Sequence, residues 1–217
     1  MAHWAKVFAI VSAVGAVLAC AGDVVVPLVI GRSYPGYSHL RDVMSALGTR
    51  ESPVARWMNL WWVVFGVLMM AFGMGVAIVF PSAGDAGRVL ACQFLVFGLG
   101  AGIGAGLFPM DPVGAPTTLT GWLHGLTGTV GFTALGFAPL VTLWVVSRAG
   151  TPWLWWLAAV VQGLGLVVFA VIVVSGHSRG EGVLSWAGLW QRVFLAVYYV
   201  YVAAMAVEVA RRAACAE

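Results

Sequence analysis

Six apolar stretches, at 4–30, 57–80, 89–108, 122–146, 153–175 and 189–210, constrain this chain more than anything else in it. Each holds about 20 or more residues, enough at about 1.5 Å per helical residue to cross a hydrocarbon core about 30 Å thick. The runs are continuously apolar with Gly and Ala scattered through them, whereas barrel strands alternate apolar and polar residues over about ten positions. The prediction is an all-α fold: a polytopic membrane bundle of six transmembrane helices in a single domain over residues 1–217. Only 9% of the residues are charged, too few to coat a soluble globule. That excludes a soluble enzyme, a disulfide scaffold, a disordered chain and a nucleic-acid binder. The formal net charge of +3 comes from scarce carboxylates and calls for no anionic partner.

The first apolar run is too long and continuous for a signal-peptide core and is read as a retained helix. Cys20, Cys92 and Cys215 are odd in number and read as packing residues without a disulfide framework. The connections 31–56, 109–121 and 176–188 are long, while 81–88 and 147–152 are short, so six spans put the three long loops on one membrane face. Plain counting of Lys and Arg does not distinguish the two faces, but the Arg211–Arg212 pair and the single Arg88 and Arg148 in short links on the opposite face read as topology signals, which predicts cytoplasmic termini.

In the first long loop Ser38 is placed to cap a short interfacial helix. Leu40, Val43, Met44 and Leu47 follow an i, i+3, i+4, i+7 pattern toward lipid, and Gly48 is the stop. In the third span Gly98, Gly102 and Gly106 form a small-residue stripe that admits a close helix. The stripe reads as ordinary tight packing, with a homo-oligomer contact as the alternative.

In a chain so poor in charge, each polar residue near a span needs a reason. Asp23 lies inside the first span and reads as a general acid, the alternative being a structural hydrogen bond or ion pair. Asp111, held extended by Pro112, and His124 share the long-loop face, where an Asp–His pair can move a proton; the alternative is a loop cap and an interfacial side chain. Arg41, Asp42 and Arg192 lie on that face too, and the arginines either neutralise carboxylates or bind an anionic headgroup. Arg50 with Glu51 and Arg179 with Glu181 read as solvated loop charges, and Glu208 as the partner of Arg211 and Arg212. His39, His124 and His177 raise a metal site, but no His-x-x-x-His or Cys-x-x-Cys spacing supports one, so no metal or cofactor is expected. Trp122 and most other tryptophans read as an interfacial belt or as cavity lining, and Tyr198, Tyr199 and Tyr201 are placed to stabilise a cation.

Five segments resemble one family. Tyr34-Pro-Gly-Tyr-Ser-His-Leu-Arg-Asp-Val-Met-Ser-Ala-Leu-Gly48, Asn59, Phe108-Pro-Met-Asp-Pro112, Leu123-His-Gly125 and Gly188-Leu-Trp-Gln-Arg192 are similar, in matching order, to the DUF998 family of bacterial and archaeal integral membrane proteins. The resemblance implicates Arg41, Asp42, Ser45, Asn59, Asp111, His124 and Arg192. Met110 stands where a small polar residue is expected, and Asp23 is not part of the pattern.

Taken together, these residues suggest a small membrane enzyme doing acid–base chemistry on a lipid-like substrate, specifically a protonation-initiated cyclisation of an isoprenoid or prenylated molecule. Asp23, Asp42, Asp111 and His124 are its catalytic candidates; Arg41, Asn59, Trp122, Arg192 and Tyr198 are its substrate-binding ones. A non-enzymatic lipid-binding or accessory protein is the main alternative, followed by a proton-coupled transporter and a metal-dependent lipid hydrolase.

Overall fold

The computed structural model describes residues 1–112, 114–177 and 182–216, with only the backbone described at 148, 149, 175–177 and 184. The Arg179–Glu181 pair and the side chains of Arg148 and His177 lie outside the described residues. Six helices are long and apolar enough to cross a membrane. They are α1 (His3–Ile30), α2 (Ala55–Val79), α3 (Asp85–Phe97, continued by a π-helical stretch Gly98–Gly104 and a closing turn Ala105–Leu107), α4 (Leu119–Ala149), α5 (Pro152–His177) and α6 (Ala187–Cys215). Each packs on its neighbours in sequence and α1 meets α6, so the helices close into a ring.

The ring follows from small residues on inward faces. In α1, Ala5, Ala9, Ala13, Ala16, the adjacent Ala19 and Cys20, Asp23 and Pro27 follow one helical face and are all buried, while Val7, Val11, Val14, Leu18, Val25 and Val29 are exposed on the other side. Asp23 therefore sits on the inward face because its register with the alanines puts it there.

The glycine run of α3 carries two stripes. Gly98, Gly102 and Gly106 lie against Gly66 and Asn59 of α2, where a Cβ would meet backbone atoms, while Gly100 and Gly104 lie against Thr127 and Gly131 of α4. The partner of the predicted stripe is the chain's own second helix, so that face is already filled and is not open to a second copy. The even spacing of glycines serves two helices at once, which reading a single stripe does not reveal.

In α4, Pro139 has no backbone amide to donate, and next to it the neighbouring helices add hydrogen bonds of their own. The Tyr198 hydroxyl of α6 donates to the Gly136 carbonyl at 3.2 Å, and Gln162 Oε1 of α5 accepts from Leu140 N at 3.1 Å. Gly165 of α5 has no side chain where the Tyr198 ring passes. At the opposite end of the bundle Glu208, fully buried, accepts from Arg211, Arg212 and Thr151, the ion pair expected of it.

The first long loop contains a short helix, but it is a 3-10 helix over Met44–Gly48, and its apolar residues Met44 and Leu47 are buried in the bundle instead of facing lipid. Ser38 does not begin that helix; its amide donates to the Asp42 carboxylate at 2.7 Å in a separate turn.

Candidate functional site

The motif at the start of α6 explains how the first loop is held. Gly188 N donates to the Arg41 carbonyl at 3.3 Å and Leu189 N to the Leu40 carbonyl at 2.8 Å, so loop carbonyls satisfy amides that a helix N-terminus otherwise leaves unpaired. A Cβ on Gly188 would collide with the Asp42 and His39 carbonyls. Gln191 Oε1 accepts from Met44 N at 2.7 Å. Arg192 donates to the His39 carbonyl at 2.6 Å, the Asp42 carbonyl at 3.2 Å, the Gly188 carbonyl at 2.9 Å and the Tyr37 hydroxyl at 2.6 Å. Its guanidinium is thus a latch for the loop, engaged by neutral oxygens. The latch also shifts the groups around it. Burial is the main effect raising the Tyr37 hydroxyl's pKa, and burial, followed by the Arg192 and Arg32 charges, lowers that of the His39 imidazole.

This latch positions Ser45 over α4. His124 Nδ1 lies 2.8 Å from the Phe108 carbonyl and Nε2 lies 3.1 Å from Ser45 Oγ. A carbonyl can only accept, so Nδ1 carries the proton and, in the neutral ring, Nε2 presents its lone pair to the serine hydroxyl. Phe108 owes its position to the end of α3, whose glycines let that helix lie close to α4.

One cavity borders the pair and a second lies beside the first. A small one of about 40 Å³ is lined by Ser45, His124, Trp62, Phe132 and Gln191 among others. A larger one of about 490 Å³ lies between α4, α5 and α6; Phe132 and Gln191 line it as well, so both cavities share a wall. Its lining is mostly apolar, with Phe137, Phe169, Phe194 and Tyr198 as further aromatic residues and Thr129 and Thr133 as polar ones. Leu166 and Phe169, each 55% exposed, and Phe137, 50% exposed, put its rim on the lipid-facing surface.

The other predicted residues fall elsewhere. Asp23 lines neither cavity; it accepts from Trp61 Nε1 at 3.0 Å and from the Tyr199 hydroxyl at 2.6 Å, deep between α1, α2 and α6. The expected Asp111–His124 pair does not form. Asp111 is at the surface, accepting from Thr118 N and Thr118 Oγ1, both at 2.7 Å, and those hydrogen bonds hold its pKa below the usual carboxylate value. The physical reason is Pro112, which turns the chain so that Asp111 caps the entry to α4. Asp42 closes the Ser38 turn, Arg41 is exposed, and Trp122, 56% exposed, faces outward. Asn59 Nδ2 donates to the Gly48 carbonyl at 3.1 Å, and its buried Oδ1 has no hydrogen-bond partner among the described residues. Of the predicted residues, His124 and Tyr198 border the cavities.

Sequence reasoning reached Ser45 only through the family resemblance and did not single out Gln191 or the Phe108 carbonyl. A backbone oxygen leaves no mark in a sequence. Gln191 was visible in its motif, but its role depends on where Met44 folds.

Fold and site define a six-span integral membrane protein with a loop latched over one end and a lipid-facing cavity beneath it. The chain belongs to the DUF998 family, described as a protein of unknown function, whose model matches residues 7–208. No curated protein and no solved structure matches it.

Proposed function

We propose that this protein is a small integral membrane enzyme that performs acid–base chemistry on a lipid-like molecule, with His124 as the proton-handling group. The supporting observation is the shared wall: Phe132 and Gln191 line both an apolar cavity with a lipid-facing rim and the small cavity that His124 borders, where the unprotonated imidazole nitrogen accepts from the Ser45 hydroxyl. The apolar part of the substrate occupies the larger cavity and its polar end meets His124.

A cyclisation of an isoprenoid or prenylated molecule is a second reading, favoured by the aromatic wall, since Phe132, Phe137, Phe169, Phe194 and Tyr198 ring faces shelter positive charge. In that reading the proton donor stands at the cavity, which directs attention to His124 and Tyr198 instead of Asp23. Product analysis by mass spectrometry separates a cyclised hydrocarbon from any other product.

The test is to purify the protein in mild detergent and identify bound molecules by mass spectrometry. Wild type is expected to retain an apolar lipid that Gly136→Leu excludes. Gly136 lines the large cavity, and a Cβ there meets only the Tyr198 hydroxyl, at 3.9 Å, so the substitution adds bulk on the cavity wall. Turnover of that molecule is expected to disappear in His124→Gln. A lipid retained unchanged, with no product, would make the protein a lipid binder; turnover undiminished in His124→Gln would remove the acid–base assignment.

The termini belong in the cytoplasm of a bacterial inner membrane in this reading, supported by Arg88, Arg211 and Arg212 at that end. Exposed Cys215 is then expected to react with a membrane-impermeant thiol reagent only after cell lysis.

A further inference from the structure

We infer that Ser45 is the nucleophile of this site and that the reaction is acyl transfer from a lipid-like ester; the inference rests on the acid–base reading above and names its substrate class. The first observation is where the hydroxyl proton goes. Ser12, Thr49, Thr127, Thr142 and Ser147 each turn their hydroxyl back to a carbonyl three or four residues earlier, the ordinary behaviour of such side chains in helices. Ser45 instead meets an imidazole nitrogen 79 positions away in sequence, at 3.1 Å. The second is the orienting group: the Phe108 carbonyl, 2.8 Å from Nδ1, fixes the tautomer that leaves Nε2 free to take a proton. Nucleophile, base and orienter in hydrogen-bonded sequence are the parts that activate a serine.

The third observation is the space in front of the pair. The cavity of about 40 Å³ beside Ser45 and His124 is less than a tenth of its neighbour's volume, room for a small polar group such as an ester carbonyl and not for a chain. The adjoining apolar cavity of about 490 Å³ takes the chain. Gln191 lines both, and because its Oε1 is committed to Met44 N, its amide nitrogen is the donor it has left for a developing oxyanion.

The steps balance as follows. Ser45 Oγ bonds to the ester carbonyl carbon while its proton passes to His124 Nε2. The ester C–O bond then breaks, the alcohol leaves with that proton, and the acyl group remains on Ser45. Water, or the hydroxyl of a second lipid, attacks the acyl-serine; His124 takes its proton and returns it to Ser45 Oγ. No oxidant or metal takes part.

The experiment uses the full-length protein in detergent, treated with an alkyl fluorophosphonate and, separately, with a p-nitrophenyl ester of a medium-chain fatty acid. Peptide mass spectrometry of the wild type alone locates any adduct, so the result does not depend on a variant folding. The expected result is a phosphonyl group on Ser45 with loss of fluoride, and a hydroxylamine-labile acyl group on the same residue from the ester. Labelling is expected to slow at least tenfold in His124→Gln. An adduct on another residue, or none, overturns the nucleophile. If His124→Gln nonetheless abolishes turnover of the co-purified lipid, the acid–base reading survives without it. Ser45 labelled equally fast in wild type and His124→Gln overturns the pairing, and retained lipid turnover in that variant overturns both readings.

Discussion

The Tyr199 hydroxyl donates to Asp23 Oδ2 at 2.6 Å while Trp61 Nε1 donates to Oδ1 at 3.0 Å, so α6 and α2 meet α1 at one buried carboxyl group. Leaving a buried donor or acceptor unpaired costs about 1–3 kcal/mol. Tyr199→Phe is expected to lower unfolding free energy by about that amount, and Asp23→Leu, which strands two donors, by more. Thermal unfolding in detergent measures both. Lipid turnover per folded molecule is expected to be unchanged in Asp23→Asn; its loss in a well-folded variant would restore Asp23 to the chemistry.

At Gly188 the first loop lies so close to α6 that a side chain there would meet the Asp42 and His39 carbonyls. Gly188→Val is expected to push the loop off, breaking the bonds from Gly188 and Leu189 amides and displacing Ser45 from His124. Limited proteolysis then cuts between Tyr37 and Val43 faster than in wild type, and turnover falls with it. Unaltered proteolysis would show that Arg192 and Gln191 suffice to hold the loop.

These relationships show what the sequence made legible. The six spans were, because apolar length is set by bilayer thickness and needs no tertiary information. The family segments also converge on one end of the bundle, where Tyr37, Ser45, Asn59, Phe108, His124 and Gly188 meet. What failed was pairing. Asp111 and His124 are close in the chain and on one face, yet Asp111 spends both oxygens on Thr118 and His124 turns to Ser45. Residue types announce that a charge must be satisfied; only the fold selects the partner. The loop helix failed for a related reason: Met44 and Leu47 looked lipid-facing by periodicity, but burial against the bundle and lipid contact both favour the same apolar residues.

The second glycine stripe gives a prediction that the first alone does not. Gly100 lies against Gly131 and the Thr127 carbonyl of α4, with backbone on the opposing side and no flexible side chain end to yield. Gly100→Ala is expected to destabilise by about 1–3 kcal/mol through overpacking. Gly128→Ala, on α4 where nothing lies within 4 Å, is expected to be neutral in the same thermal assay. Equal melting of Gly100→Ala and wild type would mean that α3 and α4 separate freely.

His39 makes the latch sensitive to pH. Its Nδ1 lies 3.4 Å from an Arg192 nitrogen, so the neutral ring accepts there, and its ring meets Tyr37 edge-on at 5.1 Å. Protonation removes the acceptor and adds a cation beside Arg192 and Arg32, while the Asp42 carboxylate is engaged by the Ser38 amide. Burial, and after it the Arg192 and Arg32 charges, lowers the folded pKa from the ordinary 6.5. A lowered value means that the unfolded loop binds its proton first, so the stability contributed by neutral His39 is complete above the ordinary pKa and is lost as pH falls through the folded one. Thermal stability and protection of the Tyr37–Val43 segment from protease are expected to fall between neutral pH and about pH 5. In His39→Gln the same segment is expected to respond less to pH, since glutamine accepts from Arg192 without titrating. An identical pH response in wild type and His39→Gln would place the sensitivity at another group, with His124 the next to replace.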